Sequence, residues 1–263
     1  MIKISRAIIS IMFFGYAFLF IPILFIIVYS FSDSENSSVW TKFSLRWFKE
    51  VFDDEDFVRS LLNSLKIAGL SSFGAVLFGT FSAFATTHNT SHRRQLFLGN
   101  ILFIPVVMPD IIVGFALCLL FVSLQPVFGL QKDLGISSVA VGHMVASMSY
   151  VHMTVRTRLQ SFDTSIEEAA LDLGAKNITV FLQITIPILI NTLLAGWLLA
   201  FCLSLDDVVL ASFLSGPGAT SFPLLIFSNI RIGLSPMINA FSTIYITICS
   251  CLLLFSLKKR NYF

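Results

Sequence analysis

The chain has 263 residues, of which 56% are hydrophobic and 12% charged, and a mean hydropathy of +0.86, whereas soluble globular chains carry roughly a quarter charged residues. At about 20 apolar residues per membrane span, this length holds roughly six spans and excludes a sizeable soluble catalytic domain. The net charge of +2 sets 17 Lys and Arg against 15 Asp and Glu, a balance that gives no ground for nucleic-acid binding.

Lys3 and Arg6 precede an uncharged stretch from Ala7 to Ser32. It is too long for a signal-peptide core and lacks a small-residue cleavage site, so the first span is expected near 8–30. The segment from Asp33 to Arg59 places Trp40, Phe43, Trp47, Phe48, Val51 and Phe52 so that they can form one face of a short interfacial helix. Such a helix would touch either lipid or an extracytoplasmic partner. Two spans are expected near 62–87 and 96–124, joined by the short basic loop 88–95. Pro105, Pro109 and Asp110 interrupt the second of these, and a helix break just before Asp110 is one consequence open to it. A fourth span near 137–155 contains His143, which has no suitably spaced acidic neighbour and reads as a hydrogen-bonded packing residue without an assigned role.

Residues 156–185 form the longest inside segment. Ser165 followed three residues later by Glu168 fits a capping box, so a helix is expected to begin there. Ile166, Ala169, Ala170 and Leu173 give it a small apolar face, and Gly174 supplies a residue able to end it in the left-handed conformation. Two to three turns are too few to be stable alone in water. The helix therefore rests either on the protein's own cytoplasmic face or on a partner. The last two spans are expected near 186–214, interrupted by Asp206 and Asp207, and near 238–257.

Ten of the 17 basic residues then fall inside: Lys3, Arg6, Arg93, Arg94, Arg156, Arg158, Lys176, Lys258, Lys259 and Arg260. Four of the other seven, between Lys42 and Arg59, lie beside Asp53, Asp54, Glu55 and Asp56, and the remaining three are Lys66, Lys132 and Arg231. The positive-inside rule thus puts both termini in the cytoplasm. Each carboxylate placed near a bilayer centre costs roughly 2.5 to 3.5 kcal/mol on insertion scales. Asp110, Asp206 and Asp207 are therefore expected to face a polar cavity, a basic partner or the membrane interface. They either line a substrate pathway or hold and cap helices. Adjacent helical residues diverge by about 100°, so Asp206 and Asp207 cannot both point down one route; one is expected to line it while the other pairs across a subunit interface.

Cys118, Cys202, Cys249 and Cys251 sit in apolar runs and read as buried or lipid-facing thiols, and the 28 phenylalanines read as lipid-facing filler. His88 and His92 flank a polar loop without a third ligand, so no zinc site is expected there. H-E-x-x-H, G-x-S-x-G and G-x-x-x-x-G-K-[ST] are absent from the sequence, which argues against an intramembrane enzyme and against ATP hydrolysis on this chain.

Glu168-Ala169-Ala170, three residues, Gly174, nine residues, then Ile184-Thr185-Ile186-Pro187 resembles the EAA signature of permease subunits of ATP-binding-cassette importers, with Ile186 where Leu is usual. Trp40 to Trp47, Asn63-Ser64-Leu65, Pro105 to Asp110, Leu203 to Val209 and Ser215 to Thr220 look like the polyamine branch of that family, most like the second permease of putrescine or spermidine uptake systems. The resemblance implies an all-α, six-span type I importer permease fold over 1–263, in a bacterial inner membrane. It also implies a partner set: a dimer of ATP-binding subunits carrying ATP-Mg, a second permease forming a heterodimer, an extracytoplasmic polyamine-binding protein, and lipid. In that family the EAA helix docks in a groove of the ATPase. Glu168, Ala169, Ala170, Gly174, Ile184 and Pro187 would be the coupling residues, with Glu168 capping the helix and meeting the ATPase. Spaced carboxylates suit a linear polycation, and Asp110, Asp206 and Asp207 would then serve the pathway, with putrescine the first substrate and spermidine the second. The competing readings are an ion-coupled secondary transporter of small organic cations, which would have no use for such an inside helix, and a permease for another small solute.

Overall fold

The computed structural model describes residues 6–37, 39–87, 91–128, 134–232 and 235–260; Lys3, His88 and Lys132 lie outside them. The helices are α1 Arg6–Tyr29, α2 Arg46–Asp53, α3 Glu55–Thr87, α4 His92–Val107, α5 Asp110–Phe128, α6 Ile136–Gln160, α7 Ser165–Asp172, α8 Asn177–Val180, α9 Ile186–Asp206, α10 Val209–Leu214, α11 Phe222–Ile232 and α12 Pro236–Arg260. A π-turn, Phe181–Thr185, joins α8 to α9. The only strand-like pairing among the described residues is an isolated antiparallel bridge between Ser32 and Phe43.

Three helical stretches are long and apolar enough to cross a membrane, Ile9–Tyr29, Glu55–Thr87 and Asn177–Asp206, and the bent pair α4 and α5 makes a fourth. The other two expected spans coincide with α6 and α12. α6 is less apolar because it is an interior helix: Ser138, His143, Ser147, Ser149 and His152 are all buried in it. Buried small and polar side chains of this kind are how membrane helices pack closely and hydrogen-bond to one another.

Two of the expected spans are broken. The 96–124 helix becomes α4 and α5, bent by 108°. Pro105 is accommodated inside α4; the break comes at Met108, which is extended (φ −75°, ψ 140°) because the residue before a proline is pushed out of the helical region. Pro109 then starts α5 by accepting the Ile112 amide at 2.9 Å. The 186–214 helix stops at Asp206, and Asp207 is extended (φ −75°, ψ 125°). Its carboxylate accepts the Ala211 amide at 3.1 Å and so holds the start of α10, an example of an Asp side chain competing with the helical backbone.

By close packing the chain divides into two compact units, 1–59 with 225–263, and 60–224. In the first, α12 packs against α1 and α2, Phe57 stacks on Phe241 at 4.4 Å between ring centroids, and Asn239 Nδ2 donates to Ser37 O at 3.1 Å. The amphipathic segment of the sequence forms α2, which buries Trp47 and Val51 and leaves Phe52 exposed. Phe13, Phe14 and Phe18 of α1 are exposed, whereas Phe57, Phe201, Phe222 and Phe241 are buried, so the filler reading does not extend to every phenylalanine.

In the second unit, α6 is central. Val151, Val155 and Leu159 pack with Ala75 and Ala83 of α3 and with Leu189 and Ala200 of α9. A Cβ on Gly79 would come within 2.9 Å of Val151 Cβ and 3.0 Å of the Met148 carbonyl, so α3 and α6 approach each other as only glycine allows. A second cluster joins Ile67, Val139, Ala140, Ala211 and Leu214. The 215–220 loop is fastened to α3: Asn63 Nδ2 donates to the Gly218 and Thr220 carbonyls at 2.9 and 3.2 Å, and the Phe222 amide donates to Ser64 Oγ at 2.7 Å. Replacing Asn63 by Leu leaves two carbonyls without their donor, and is expected to destabilise the protein by about 1–3 kcal/mol. A melting temperature several degrees lower in detergent is the reading to look for; an unchanged one would show that the loop is held by other means.

Candidate functional site

Two constellations stand out, both within 60–224. The first is the inside loop. α7 begins not through Ser165 and Glu168 but one step earlier. Asp163 Oδ1 accepts the Ser165 amide at 3.0 Å, the Glu167 and Glu168 amides turn back to the Thr164 carbonyl, and the expected capping box is absent. The Asp two residues upstream of Ser165 was the available signal. The Ser165 amide, followed by the Ser165 hydroxyl, holds the Asp163 carboxyl below its usual range. The end of α7 agrees with the expectation. Gly174 has φ +88°, the Ala175 amide donates to the Ala170 carbonyl at 3.0 Å, and the Gly174 amide donates to the Leu171 carbonyl at 2.9 Å. That pair of bonds is a Schellman motif.

No residue of α7 is buried. Glu168 and Ala169 are exposed and Ala170 half-buried, while Ile166 is 47% and Leu173 90% exposed. Among the described residues the helix buries none of its side chains on its own chain. It is tied down through Glu167, whose Oε1 accepts from Thr185 Oγ1 across 18 residues, a contact that no local pattern announces. Thr185 closes the π-turn, where the Ile186 amide reaches back five residues to the Phe181 carbonyl. Pro187 follows at once. Its missing N–H and its ring do not suit a regular helix interior, and the wider turn relieves both. Ile184 lies half-buried within the turn and Pro187 is exposed.

The second constellation is built by the two helix breaks. Asp110, first residue of α5, and Asp207, at the end of α9, line one cavity of about 110 Å3 together with His143, Ser147, Tyr150 and Ser204. Asp206 is exposed and is not among the lining residues; the adjacent pair diverges because the helix ends between them, Asp207 being extended. His143 is 3% exposed. Its Nδ1 lies 2.7 Å from Ser204 Oγ, from a residue 61 positions away, and its Nε2 lies 3.5 Å from Asp207 Oδ1. That approach is within ion-pair reach without meeting hydrogen-bond geometry. The acidic neighbour that His143 lacks in the sequence is thus supplied by the fold. Two carboxylates converge on a small polar cavity flanked by a tyrosine and a buried imidazole, which is suitable for a cation. No group of three or more metal-ligating side chains occurs among the described residues.

Comparison with known proteins gives the following. The family described as binding-protein-dependent transport system inner membrane component matches residues 75–259. The chain is 41% identical over 230 residues to the putrescine transport system permease protein PotI of Escherichia coli (strain K12), covering 88% of this chain and 82% of that protein. It is 36% identical over 233 residues to the spermidine/putrescine transport system permease protein PotC of the same strain, covering 89% and 86%. Among solved structures, a chain of a bacterial ABC transporter involved in the import of the acidic polysaccharide alginate superposes with a TM-score of 0.78 at 14% identity, covering 97% and 94%. That likeness is one of fold.

The Asp163 cap gives a test of the loop. A carboxyl held below its usual range contributes order that is present above the ordinary carboxylate pKa and is lost as pH falls through the lowered value. Asp163→Ala is expected to raise amide exchange of 165–168 several-fold, after correction for intrinsic rates, and acidification is expected to do the same to the native chain but not to the variant. Equal exchange in both chains at neutral pH would remove Asp163 from this role.

Proposed function

The chain belongs to the family of binding-protein-dependent transport system inner membrane components, and from that premise we propose that it is the permease subunit of an ATP-driven polyamine importer, with putrescine the preferred cargo and spermidine the second. It is a multi-pass protein of the inner membrane and a transport component, not an enzyme. The convergence of Asp110 and Asp207 on one cavity carries the substrate reading. A diammonium cation can meet a carboxylate at each end, whereas a neutral sugar or an anion gains nothing from such a lining. His143 keeps Asp207 oriented from behind, and Asp206, which points elsewhere, is available to a second permease across the subunit interface.

Both termini face the cytoplasm in this reading, placing α7 on the same side as the ATP-binding subunits. A dimer of those subunits holds ATP-Mg, a second permease completes the pathway, and an extracytoplasmic binding protein delivers the polyamine. The unburied α7 is the element presented to the ATPase. Ala169 and Ala170 permit close approach, Glu168 is exposed to a partner, and Gly174 fixes the exit. Beyond Gly174 the chain enters α8, and the π-turn before Ile186 and Pro187 joins α8 to α9, which ends at Asp206 beside the cavity. Movement of α7 therefore has a continuous helical route, Asn177–Asp206, to the acidic site.

Asp207→Asn and Asp110→Asn are each expected to raise the half-saturating putrescine concentration for uptake about tenfold, equivalent to about 1.4 kcal/mol of lost attraction, at matched abundance in the membrane. Unchanged uptake in both would take the cavity off the route. A Cβ on Gly174 meets no atom within 4 Å, and Gly174→Leu is disfavoured by the positive φ. Normal membrane abundance with loss of ATPase copurification is expected, and Gly174→Asn should fall between the two because Asn tolerates that conformation. Full ATPase recovery with Gly174→Leu would refute the coupling role.

A further inference from the structure

A cavity of about 300 Å3 lies between α4 and α6, formed by other side chains than those around Asp110 and Asp207. Its polar lining comprises Gln95, Asn100, His152, Arg156, Thr157 and Gln160 and includes no carboxylate. His152 is 3% exposed. Its Nδ1 lies 2.9 Å from Ser82 Oγ, and Ser82 Oγ donates its single proton to the Gly79 carbonyl at 2.8 Å. Nδ1 is therefore the donor to Ser82, and in the neutral imidazole Nε2 is an acceptor. That Nε2 is buried and has no hydrogen-bond partner among the described residues. Arg156 Nε is buried and unpartnered in the same way, and Arg156 makes no ion pair among the described residues.

The guanidinium is also given room. A Cβ on Gly99 would stand 3.2 Å from Arg156 Nη1, so any side chain there would press on it. Gln95 belongs to the first turn of α4, where the helix dipole is positive. A partly buried cation with no counter-charge and an imidazole acceptor with no donor are each unfavourable on their own. An oxyanion bearing a neighbouring hydroxyl satisfies both at once. Phosphate groups have that chemistry, and guanidinium is the side chain that pairs with them best. The rim supplies apolar surface, with Leu96 51% and Phe103 43% exposed, and basic pockets between membrane helices take acidic lipid headgroups.

We propose that the α4–α6 cavity binds a phosphate oxyanion with an adjacent hydroxyl, paired to Arg156 and donating its hydroxyl proton to His152 Nε2. Two sources carry this chemistry: the headgroup of phosphatidylglycerol, whose acyl chains would follow Leu96 and Phe103, and free inorganic phosphate. The positive charge of Arg156 makes the site unfit for a polyamine, which separates it from the transport reading.

The test uses the full-length chain in its native complex, reconstituted in phosphatidylethanolamine with or without phosphatidylglycerol. Lipid retained on the complex is read by native mass spectrometry, and thermal stability is measured with and without inorganic phosphate. The native protein is expected to retain phosphatidylglycerol about tenfold over phosphatidylethanolamine, and R156Q to fall to parity. G99V keeps the charge but displaces the guanidinium and is expected to lose most of the preference; it carries the comparison if R156Q fails to assemble. If phosphate raises the melting temperature of the native complex in phosphatidylethanolamine alone, while sulfate, which bears no hydroxyl at neutral pH, does not, the free anion is the occupant. Equal retention of both lipids by the native protein and its variants, together with no phosphate effect, overturns the proposal.

Discussion

A helix that breaks inside a membrane leaves backbone amides and carbonyls with no water to bind, and the protein itself must satisfy them. This chain interrupts two apolar runs, one between α4 and α5 and one at the end of α9, and each repair uses a side chain or a residue type that also serves the cavity. Pro109 lacks the amide that would otherwise be stranded, and its carbonyl starts α5 so that Asp110 stands at the new helix end. Asp207 takes up the Ala211 amide with one carboxylate oxygen while facing His143. Holding the break and presenting the charge are a single act at that residue. The ability to bear a carboxylate within the spans follows from this, since neither acid has to sit on an unbroken helix facing hydrocarbon.

The same constraint explains why α6 is the polar helix of the bundle. Its serines and histidines reach across to other helices or back to their own carbonyls: His143 to Ser204, Ser138 to the Leu214 carbonyl, His152 to Ser82. The first two tie α6 to the ends of α9 and α10, and the third ties it to α3. The small residues beside them, Gly79 above all, bring the backbones close enough for these short side chains to reach.

What could be read from the sequence divides along the distance over which each feature is determined. The end of α7 was legible because Gly174 and the two carbonyls it serves lie within five residues. The order of the long apolar helices was legible because hydrophobic length is a property of one segment. The start of α7 at Ser165 was legible, but its capping group was not: Asp163 and Ser165 both satisfy the same local rule, and the upstream carboxylate prevails. The break after Asp206 was legible only as one of two alternatives, a pathway role or the capping of a helix: an acid inside an apolar run indicates a cost, not how the chain accommodates it. The pairing of His143 with Asp207, the joining of Thr185 to Glu167 and the meeting of Asp110 with Asp207 join positions far apart in the chain or brought together only by the fold. No window of sequence contains them.

The bareness of α7 has a consequence before any transport begins. Leu173 is almost wholly in solvent and Ile166 nearly half so, on a helix of eight residues that cannot hold its shape unaided. A chain synthesised in excess of its partners displays that apolar stripe to every chaperone and protease of the compartment it faces. In the proposed assembly, coverage of α7 marks a subunit as assembled, and stoichiometry can be enforced by degrading the copies in which it stays bare.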